Sequence, residues 1–260
     1  MAYEKPSQFE NRVSKTTKHL IMADKKYFIP GAPFKFSRSK VELFMECPKC
    51  FYIDRVKGVA RPSGFPFSLN NAVDALFKKE FDHYRLLQQP HPLLLANGLT
   101  LVPFQDHRME DWRNNFKGIK TMYNGYAYYG AVDDIWVDKA GTLYIVDYKA
   151  TAKEEAVTEL SNASYHDSYR RQMEFYQWLF VKNGFTVSPT GYFVYTTGDN
   201  TLPNFNDELK FRTHLISYTG NYDWVEPTLD KMIAAASQPT APASNISCAY
   251  CKFIVERNNS

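Results

Sequence analysis

The sequence predicts an α/β fold, in which amphipathic helices alternate with strands rich in aromatic and β-branched residues. Apolar residues recur at spacings of three and four from Leu69 to Tyr84, which is typical of a helix with one buried face. Between Tyr123 and Ala150 the pattern changes to two runs dominated by tyrosine, valine and isoleucine, which favours strands. The chain has 260 residues, of which 44% are hydrophobic, so it is long enough to bury the core of one large domain.

The N-terminal part of the chain is divided into an arm and the start of this domain. Residues 1–33 are polar, carry scattered lysines and have no period, so we expect an arm there and a single domain over residues 34–260. Ser39 followed by Glu42 has the form of a capping box, which predicts a short helix that Pro48 should end.

The remaining elements follow in order along the chain. The long helix that begins at Leu69 is closed by the prolines of residues 90–92, and no clear pattern follows until Tyr123. The two strand runs, separated by a turn at residues 139–141, have the form of a hairpin. After it we expect a helix over 168–184 closed by Gly184, strands over 191–198 and 209–219, and a helix over 224–237.

Composition and charge limit the classes of function. The formal net charge of +3 permits a nucleic-acid partner without requiring one. No apolar run approaches the length of about 18 residues that crosses a bilayer, and the first residues lack the apolar stretch of a secretory signal. We therefore expect no membrane partner and a cytoplasmic location, where thiols stay reduced. A Gly-x-x-x-x-Gly-Lys phosphate loop is absent from the sequence, so no ATPase motor is predicted.

Two aspartates in the strand runs are the first candidates for a catalytic site. If the hairpin turns near Ala140, Asp133 and Asp147 lie seven positions on either side and come opposite each other. Paired ionised carboxylates repel each other, so a buried pair persists only with a neutralising cation or a bound proton, and magnesium prefers such oxygen ligands. Lys149 shares the side-chain parity of Asp147 and so can act on the same phosphate. Asp134 should point to the opposite face, as a surface or turn-supporting carboxylate.

The ordered set of motifs around these aspartates resembles the PD-(D/E)XK nuclease superfamily, in particular its RecB-like branch, which includes the CRISPR adaptation exonucleases. The resemblance rests on Gly-Ala-Val-Asp ending at Asp133, on Asp-Tyr-Lys at residues 147–149, and on Gln172 and Tyr176 in a following helix. Upstream, FSRSKVELFMECPKCFYIDRV is similar to the N-terminal signature of the family. The match runs from about Phe36 to the last residue.

The resemblance implies a PD-(D/E)XK restriction-endonuclease-like core, with a mixed central sheet flanked by helices and a metal held where the central strands diverge. Asp133 and Asp147 would be the main ligands of Mg²⁺ or Mn²⁺, with the backbone carbonyl of Tyr148 as another. Asp74 would be a third carboxylate ligand, at a position where many relatives carry histidine. Lys149 would act on the attacking water, and the metal would polarise the phosphate.

Gln172 and Tyr176 are also candidates for the catalytic site. They lie four residues apart and so share one face of a helix, where an amide and a phenol can reach a phosphate or orient a metal ligand. The alternative is a structural role, in which Tyr176 is a buried core residue and the Gln172 side chain makes hydrogen bonds within the protein. Arg170 and Arg171 are compatible both with phosphate contacts and with a solvated helix start.

The four cysteines form two Cys-x-x-Cys pairs, Cys47 with Cys50 and Cys248 with Cys251. Two such turns provide four thiolates, which is the ligand set of tetrahedral zinc or of an iron–sulfur cluster. In several RecB-like nucleases, cysteines near both termini hold a 4Fe–4S cluster, but usually as one upstream and three downstream. Because this chain divides them two and two, cluster and zinc both stay open, and small buried thiols are a third possibility.

Together these observations predict a metal-dependent nuclease that hydrolyses DNA phosphodiester bonds in single strands or at free ends. The expected type is an exonuclease or flap-cutting enzyme in repair, recombination, phage replication or CRISPR adaptation. The alternative is a catalytically inactive nucleic-acid-binding module of the same fold. Clustered carboxylates, which repel phosphate, favour the enzyme. The sequence identifies no protein partners.

Overall fold

The computed structural model describes residues 27–64 and 68–260, so residues 1–26 of the predicted polar arm lie outside the described residues. The chain divides into two compact units. Among the described residues, the first unit comprises 27–62, Met122–Tyr128 and Thr228–Ser260, and the second comprises 63–64, 68–121 and Tyr129–Pro227. The expectation of one domain over residues 34–260 stays a prediction.

The described residues contain strands and helices that alternate along much of the chain. The strands are β1 (Lys35–Ser37), β2 (Val102–Pro103), β3 (Ile119–Tyr123), β4 (Tyr126–Gly130), β5 (Asp134–Val137), β6 (Leu143–Lys153), β7 (Thr190–Asp199) and β8 (Phe211–Thr219). The helices are α1 (Arg38–Glu46), α2 (Pro48–Arg55), α3 (Ser68–Leu87), α4 (Pro92–Ala96), α5 (Met109–Arg113), α6 (Ser164–Lys182), α7 (Val225–Ala236) and α8 (Ala249–Asn259). The predicted α/β class is confirmed.

The second unit is built on a five-stranded mixed sheet of order β2–β5–β6–β7–β8. Strands β6 and β7 run parallel, and the other neighbouring pairs run antiparallel. A parallel pair requires a long crossover connection, and α6 lies in the connection between β6 and β7. The central strand β6 therefore has a hydrogen-bonded neighbour on each side, as the predicted mixed sheet requires.

Strands β5 and β6 form the hairpin that the sequence predicts. The register pairs Asp134 with Val146. Asp138 closes the turn, because its Oδ1 atom accepts hydrogen bonds from the backbone N–H groups of Ala140 and Thr142, each at 2.9 Å. This local bond is a common reason for aspartate in turns.

The two faces of β6 meet different helices. Val146 and Tyr148 pack with Phe81 of α3 in one apolar cluster. Asp147 and Lys149, which have the opposite parity, contact residues of α6 instead. The alternation of side chains along one strand thus separates the core on the α3 side from the polar residues on the α6 side.

The first unit contains β1, α1, α2 and the C-terminal helix α8. A three-stranded sheet has the order β1–β4–β3. Phe36 of β1 is buried, and its ring centroid lies 6.1 Å from that of Phe51 and 5.8 Å from that of Tyr128. These rings supply much of the apolar core of the first unit.

The start of α1 and the role of Pro48 differ from the sequence prediction. Helix α1 begins after Ser37, so Ser39 lies in its first turn and no side-chain capping bond forms. The capping-box prediction is therefore wrong. Pro48 does follow the end of α1, but it also occupies the first position of α2, where a missing N–H costs no hydrogen bond.

The first strand run is interrupted, whereas the sequence predicts it as continuous. It divides into β4 and β5, which belong to different sheets. Between them, the Val132 N–H donates to the Trp112 carbonyl at 3.1 Å, and Arg113 Nε donates to the Asp133 carbonyl at 2.9 Å. Because α5 satisfies this backbone, no strand partner is needed there.

Each helix within residues 27–64 and 68–260 is too short or too polar to cross a lipid bilayer.

Candidate active site

The hairpin brings Asp133 and Asp147 to adjacent positions in the second unit. Extending the β5–β6 register by one residue places them opposite each other. Asp147 is buried on β6, and Asp133 lies one residue before β5. The Oδ2 atom of Asp133 accepts a hydrogen bond from the Tyr148 backbone N–H at 2.9 Å. The hairpin geometry predicted for the pair is therefore confirmed, and their catalytic roles stay predictions.

The carboxylate of Asp147 has a partner on each oxygen. Gln172 Nε2 donates to Oδ1 at 2.7 Å, and the Lys149 ammonium group contacts Oδ2. Gln172 also donates to the hydroxyl of Tyr176 at 3.3 Å. The structure thus brings together four of the residues that the resemblance implies, and α6 orients the amide that holds Asp147 in place.

Lys149 is held between carboxylates and an aromatic ring. Its ammonium nitrogen lies 4.6 Å from the ring centroid of Tyr169 in α6, a cation–π distance. Burial lowers the pKa of Lys149, but the negative charges of Asp147 and Asp133 outweigh burial and raise it above the ordinary value. Lys149 therefore carries a positive charge at neutral pH, directed at the site.

Asp74 of α3 is linked to Asp133 by the ammonium group of Lys78. Lys78, one turn further along α3, lies 2.7 Å from Asp74 Oδ2 and 3.7 Å from Asp133 Oδ1. Burial and the negative charge of Asp133 raise the pKa of Asp74, and Lys78 counteracts them in part. Lys78 was missed by the sequence analysis, although its spacing of four from Asp74 is the signal that could have found it.

The oxygen donors suit a divalent cation, although the three aspartates do not meet at one point. Within the described part of the chain, the four cysteines are the only group of three or more metal-ligating side chains whose donor atoms all lie within 4.8 Å. Lys78 lies between Asp74 and Asp133 instead. The negative charges of Asp74 and Asp133 repel each other, which raises the pKa of Asp74. A divalent cation would relieve this repulsion, and carboxylates are the ligands that Mg²⁺ prefers.

Asp134 differs most from its predicted role, because it is fully buried and not on the surface. It accepts hydrogen bonds from the guanidinium groups of Arg85 and Arg113 and, at 2.8 Å, from the hydroxyl of Tyr148. Parity predicts the face on which Asp134 lies, but the arginines come from α3 and α5, which are remote in sequence. The prediction of a surface carboxylate is wrong for that reason.

Arg113 joins the Asp134 network to the candidate catalytic residues. Its Nη1 atom donates to both carboxylate oxygens of Asp82, at 2.8 and 2.9 Å, and its Nε atom donates to the carbonyl of Asp133. Because Arg113 binds two carboxylates and one backbone carbonyl through different nitrogens, its guanidinium group has little freedom to move. The ion pairs of Arg113 with Asp82 and Asp134 therefore hold the backbone at Asp133 in place.

Arg170 makes contacts that favour a structural role over phosphate binding. Its Nη1 atom lies 2.8 Å from Asp167 Oδ1, and Nη2 donates to the carbonyls of Leu160 and Ser161 at 2.8 and 2.9 Å. The guanidinium group thus ties the loop before α6 to the first turns of that helix.

The four cysteines come together in the first unit. The sulfur of Cys50 lies 3.6 Å from those of Cys248 and Cys251, and the sulfur of Cys47 lies 3.8 Å from that of Cys251. No disulfide joins any of the four cysteines. Burial raises the pKa of Cys248, but hydrogen bonds from the Cys251 backbone N–H and from neighbouring thiols lower it to about 7. The predicted four-cysteine arrangement is confirmed, and the identity of any bound group is not.

The arrangement of these residues agrees with the comparison against protein families. The model of the PD-(D/E)XK nuclease superfamily matches residues 69–255, which include Asp74, both strand aspartates and the helix that carries Gln172. The chain belongs to the PD-(D/E)XK nuclease superfamily. Members of this superfamily are generally nucleases that use divalent metals. Assignment to the RecB-like branch stays a prediction.

Two further comparisons concern individual proteins and solved structures. No curated protein matches this PD-(D/E)XK chain. Among solved structures, the chain is similar to one described as "Crystal structure of SSO0001", with 14% sequence identity and a TM-score of 0.36 over 95% of this chain and 96% of that chain.

Proposed function

We propose that this protein is a metal-dependent nuclease that hydrolyses DNA phosphodiester bonds. The observation that carries the proposal is the pairing of Asp133 with Asp147, beside the ammonium group of Lys149, in a chain of the PD-(D/E)XK superfamily. A protein that only binds nucleic acid has no need of these groups together. The two carboxylates repel the phosphate backbone, and the positive charge of Lys149 is already offset by Asp147.

Asp133 and Asp147 are the proposed ligands of Mg²⁺ or Mn²⁺, with Asp74 and the Tyr148 carbonyl as further ligands. The cation, when bound, polarises the phosphate and lowers the pKa of a bound water. Gln172 keeps Asp147 in one orientation through its 2.7 Å hydrogen bond, which preserves the direction of the ligand oxygen.

Lys149 supplies positive charge where the phosphate gains negative charge. Its side chain is only 15% exposed, and its ammonium group lies beside Asp147 and over the ring of Tyr169, so little reorganisation is needed when substrate arrives. Lys78 provides a second positive charge near Asp133. Tyr176 supports Gln172 from the next turn of α6.

The finer parts of the proposal follow from the RecB-like resemblance of the sequence motifs. They are DNA as substrate in single strands or at free ends, cleavage of exonuclease or flap type, and a role in repair, recombination, phage replication or CRISPR adaptation. A cytoplasmic location belongs to the same proposal.

The test is a cleavage assay on end-labelled single-stranded, double-stranded and flapped DNA, with and without Mg²⁺ or Mn²⁺. We expect cleavage that a chelator abolishes and that added metal restores. Asp147→Asn should lower kcat/KM by about 10³-fold or more, and Lys149→Met by about 10²–10³-fold, the range seen when one charge-stabilising group is removed.

Asp111 and Lys117 provide a matched control in the second unit. They form a carboxylate–ammonium pair at 2.6 Å, but their side chains are 58% and 63% exposed. Asp111→Asn and Lys117→Met should leave cleavage unchanged. A wild-type protein that binds these DNAs without cutting any of them would refute the nuclease proposal and favour the binding module.

A further inference from the structure

The two cysteine pairs occupy equivalent positions on two helices of the first unit. Cys47 is the N-cap of α2 and Cys248 is the N-cap of α8, and in each case the second cysteine follows three residues later. The N–H groups of a first helical turn point outward and favour negative charge. The first turns of two helices therefore lie beside one set of four sulfur atoms.

The distances between the sulfur atoms distinguish the possible occupants. In tetrahedral zinc sites the Zn–S bond is about 2.3 Å, which places any two sulfurs about 3.8 Å apart. The sulfur–sulfur separations in the structure are 3.6 Å for Cys50 with Cys248, 3.6 Å for Cys50 with Cys251 and 3.8 Å for Cys47 with Cys251. All the sulfur atoms lie within 4.8 Å of one another. These distances fit one central ion.

A four-iron cluster requires more space than these sulfurs leave. Each thiolate then binds a different iron atom, and the iron and sulfide atoms of the cluster occupy the centre. The four cysteine sulfurs must therefore stand further apart than around a single ion. We propose that the four cysteines bind one zinc ion in tetrahedral geometry, and not the iron–sulfur cluster that the RecB-like resemblance implies.

Arg61 is the proposed positioning residue of this zinc site. Its Nη2 atom lies 3.6 Å from the Cys248 sulfur, and its Nη1 atom lies 2.5 Å from Glu46 Oε2. The guanidinium group also stacks over the ring of Tyr250, 4.6 Å from the centroid. A carboxylate and an aromatic ring thus fix the guanidinium group while it donates to a ligand sulfur.

The charge of the site explains why an arginine belongs there. Zinc with four thiolates carries a net charge of about −2, which the guanidinium group offsets in part. Arginine suits this position better than lysine, because its planar fork can donate to Glu46 and Cys248 at once while its face covers Tyr250.

The first experiment measures the metal content of the full-length protein, purified without oxygen from cells supplied with both zinc and iron. We expect one zinc per chain, no acid-labile sulfide and no visible colour. Replacement of zinc by Co²⁺ should give the visible absorption bands of a tetrahedral thiolate site. Iron in place of zinc, with or without sulfide, would overturn the proposal, and so would a metal-free protein with four titratable thiols.

The second experiment tests Arg61 by competition for zinc with a chromophoric chelator. Arg61→Gln should weaken zinc binding about 10- to 100-fold, the usual effect of removing a group that orients a metal ligand. Arg61→Lys should recover only part of the loss. Arg257→Gln, which changes an exposed arginine of α8, is the control and should bind zinc like the wild type. Equal affinity of the Arg61→Gln variant would refute the role of Arg61.

Cys251→Ser should release the zinc, and far-ultraviolet circular dichroism will show whether this variant still folds. If the Cys251→Ser variant does not fold, the metal content of the wild-type protein still decides the proposal. These measurements use no nucleic acid and concern residues of the first unit alone. Their failure would leave the nuclease proposal unchanged, and an inactive nuclease site would leave the zinc proposal unchanged.

Discussion

Asp134→Asn is the substitution whose effect on stability can be worked out most fully from the structure. The Asp134 side chain is fully buried and accepts hydrogen bonds from Arg85, Arg113, Tyr148 and the Ile135 backbone N–H. Asparagine keeps the volume but removes the negative charge. One of its two polar atoms becomes a donor and faces groups that also donate.

The cost follows from the charges that the substitution leaves behind. Arg85 and Arg113 would share Asp82, whose side chain is 37% exposed and therefore a weaker partner. Removal of one partner from a buried ion pair costs about 3–5 kcal/mol, because the remaining charge stays buried without compensation. Since each kcal/mol lowers Tm by about 2–4 °C in a protein of this size, we expect Tm to fall by roughly 10 °C.

The assay is urea denaturation followed by tryptophan fluorescence. All four tryptophans lie in the second unit, so the signal reports on the unit that contains Asp134. Asp111→Asn, which removes an exposed ion pair, should change the free energy of unfolding by no more than about 1 kcal/mol. A loss below about 1 kcal/mol in Asp134→Asn would refute the argument that this network holds the strand.

Two further predictions concern Lys149, the proposed catalytic lysine, and the packing of β7. Tyr169→Leu should lower the cleavage rate about fivefold through loss of a cation–π contact worth about 1 kcal/mol to Lys149, whereas Tyr169→Phe should cleave DNA like the wild type. Gly191→Ala should lower the free energy of unfolding by about 1–3 kcal/mol in urea titrations, because the added methyl group would overlap the Met173 sulfur and lie 2.9 Å from the Ile145 carbonyl oxygen. Gly198→Ala, where the nearest atom is 3.4 Å away, should be tolerated; equal losses in the two glycine variants would contradict the packing argument.

The sequence predicted the pairing of Asp133 with Asp147 because strand parity and hairpin register are local properties. The side-chain period of two and a turn near Ala140 determine which residues lie opposite each other. The structure closes that turn through Asp138, and the register that follows brings the two positions together.

The surroundings of the pair were not predictable in the same way. The two arginine partners of Asp134 lie 49 residues before it, at Arg85, and 21 residues before it, at Arg113. Arg113 lies in a stretch where the sequence shows no period. Contacts between remote segments depend on tertiary packing, which no local pattern encodes.

The sequence prediction was also incomplete where one residue has two structural preferences. Pro48 is both a helix stop and a favourable first residue of a helix, and the structure uses both properties within three residues. The run before Asp133 is rich in tyrosine, which favours strands, but it also contains Gly130, the residue at which β4 ends. The backbone after Gly130 is hydrogen-bonded to α5 and not to a neighbouring strand. This glycine was the local signal of the break between β4 and β5.

The discontinuous first unit has a consequence for synthesis on the ribosome. Its last segment, Thr228–Ser260, is translated after every residue of the second unit. At about 5–20 residues per second, Cys248 emerges on the order of ten seconds or more after Cys50, which precedes it by 198 positions. The unit that carries Asp133 and Asp147 can therefore fold on the nascent chain before Cys248 and Cys251 have been synthesised.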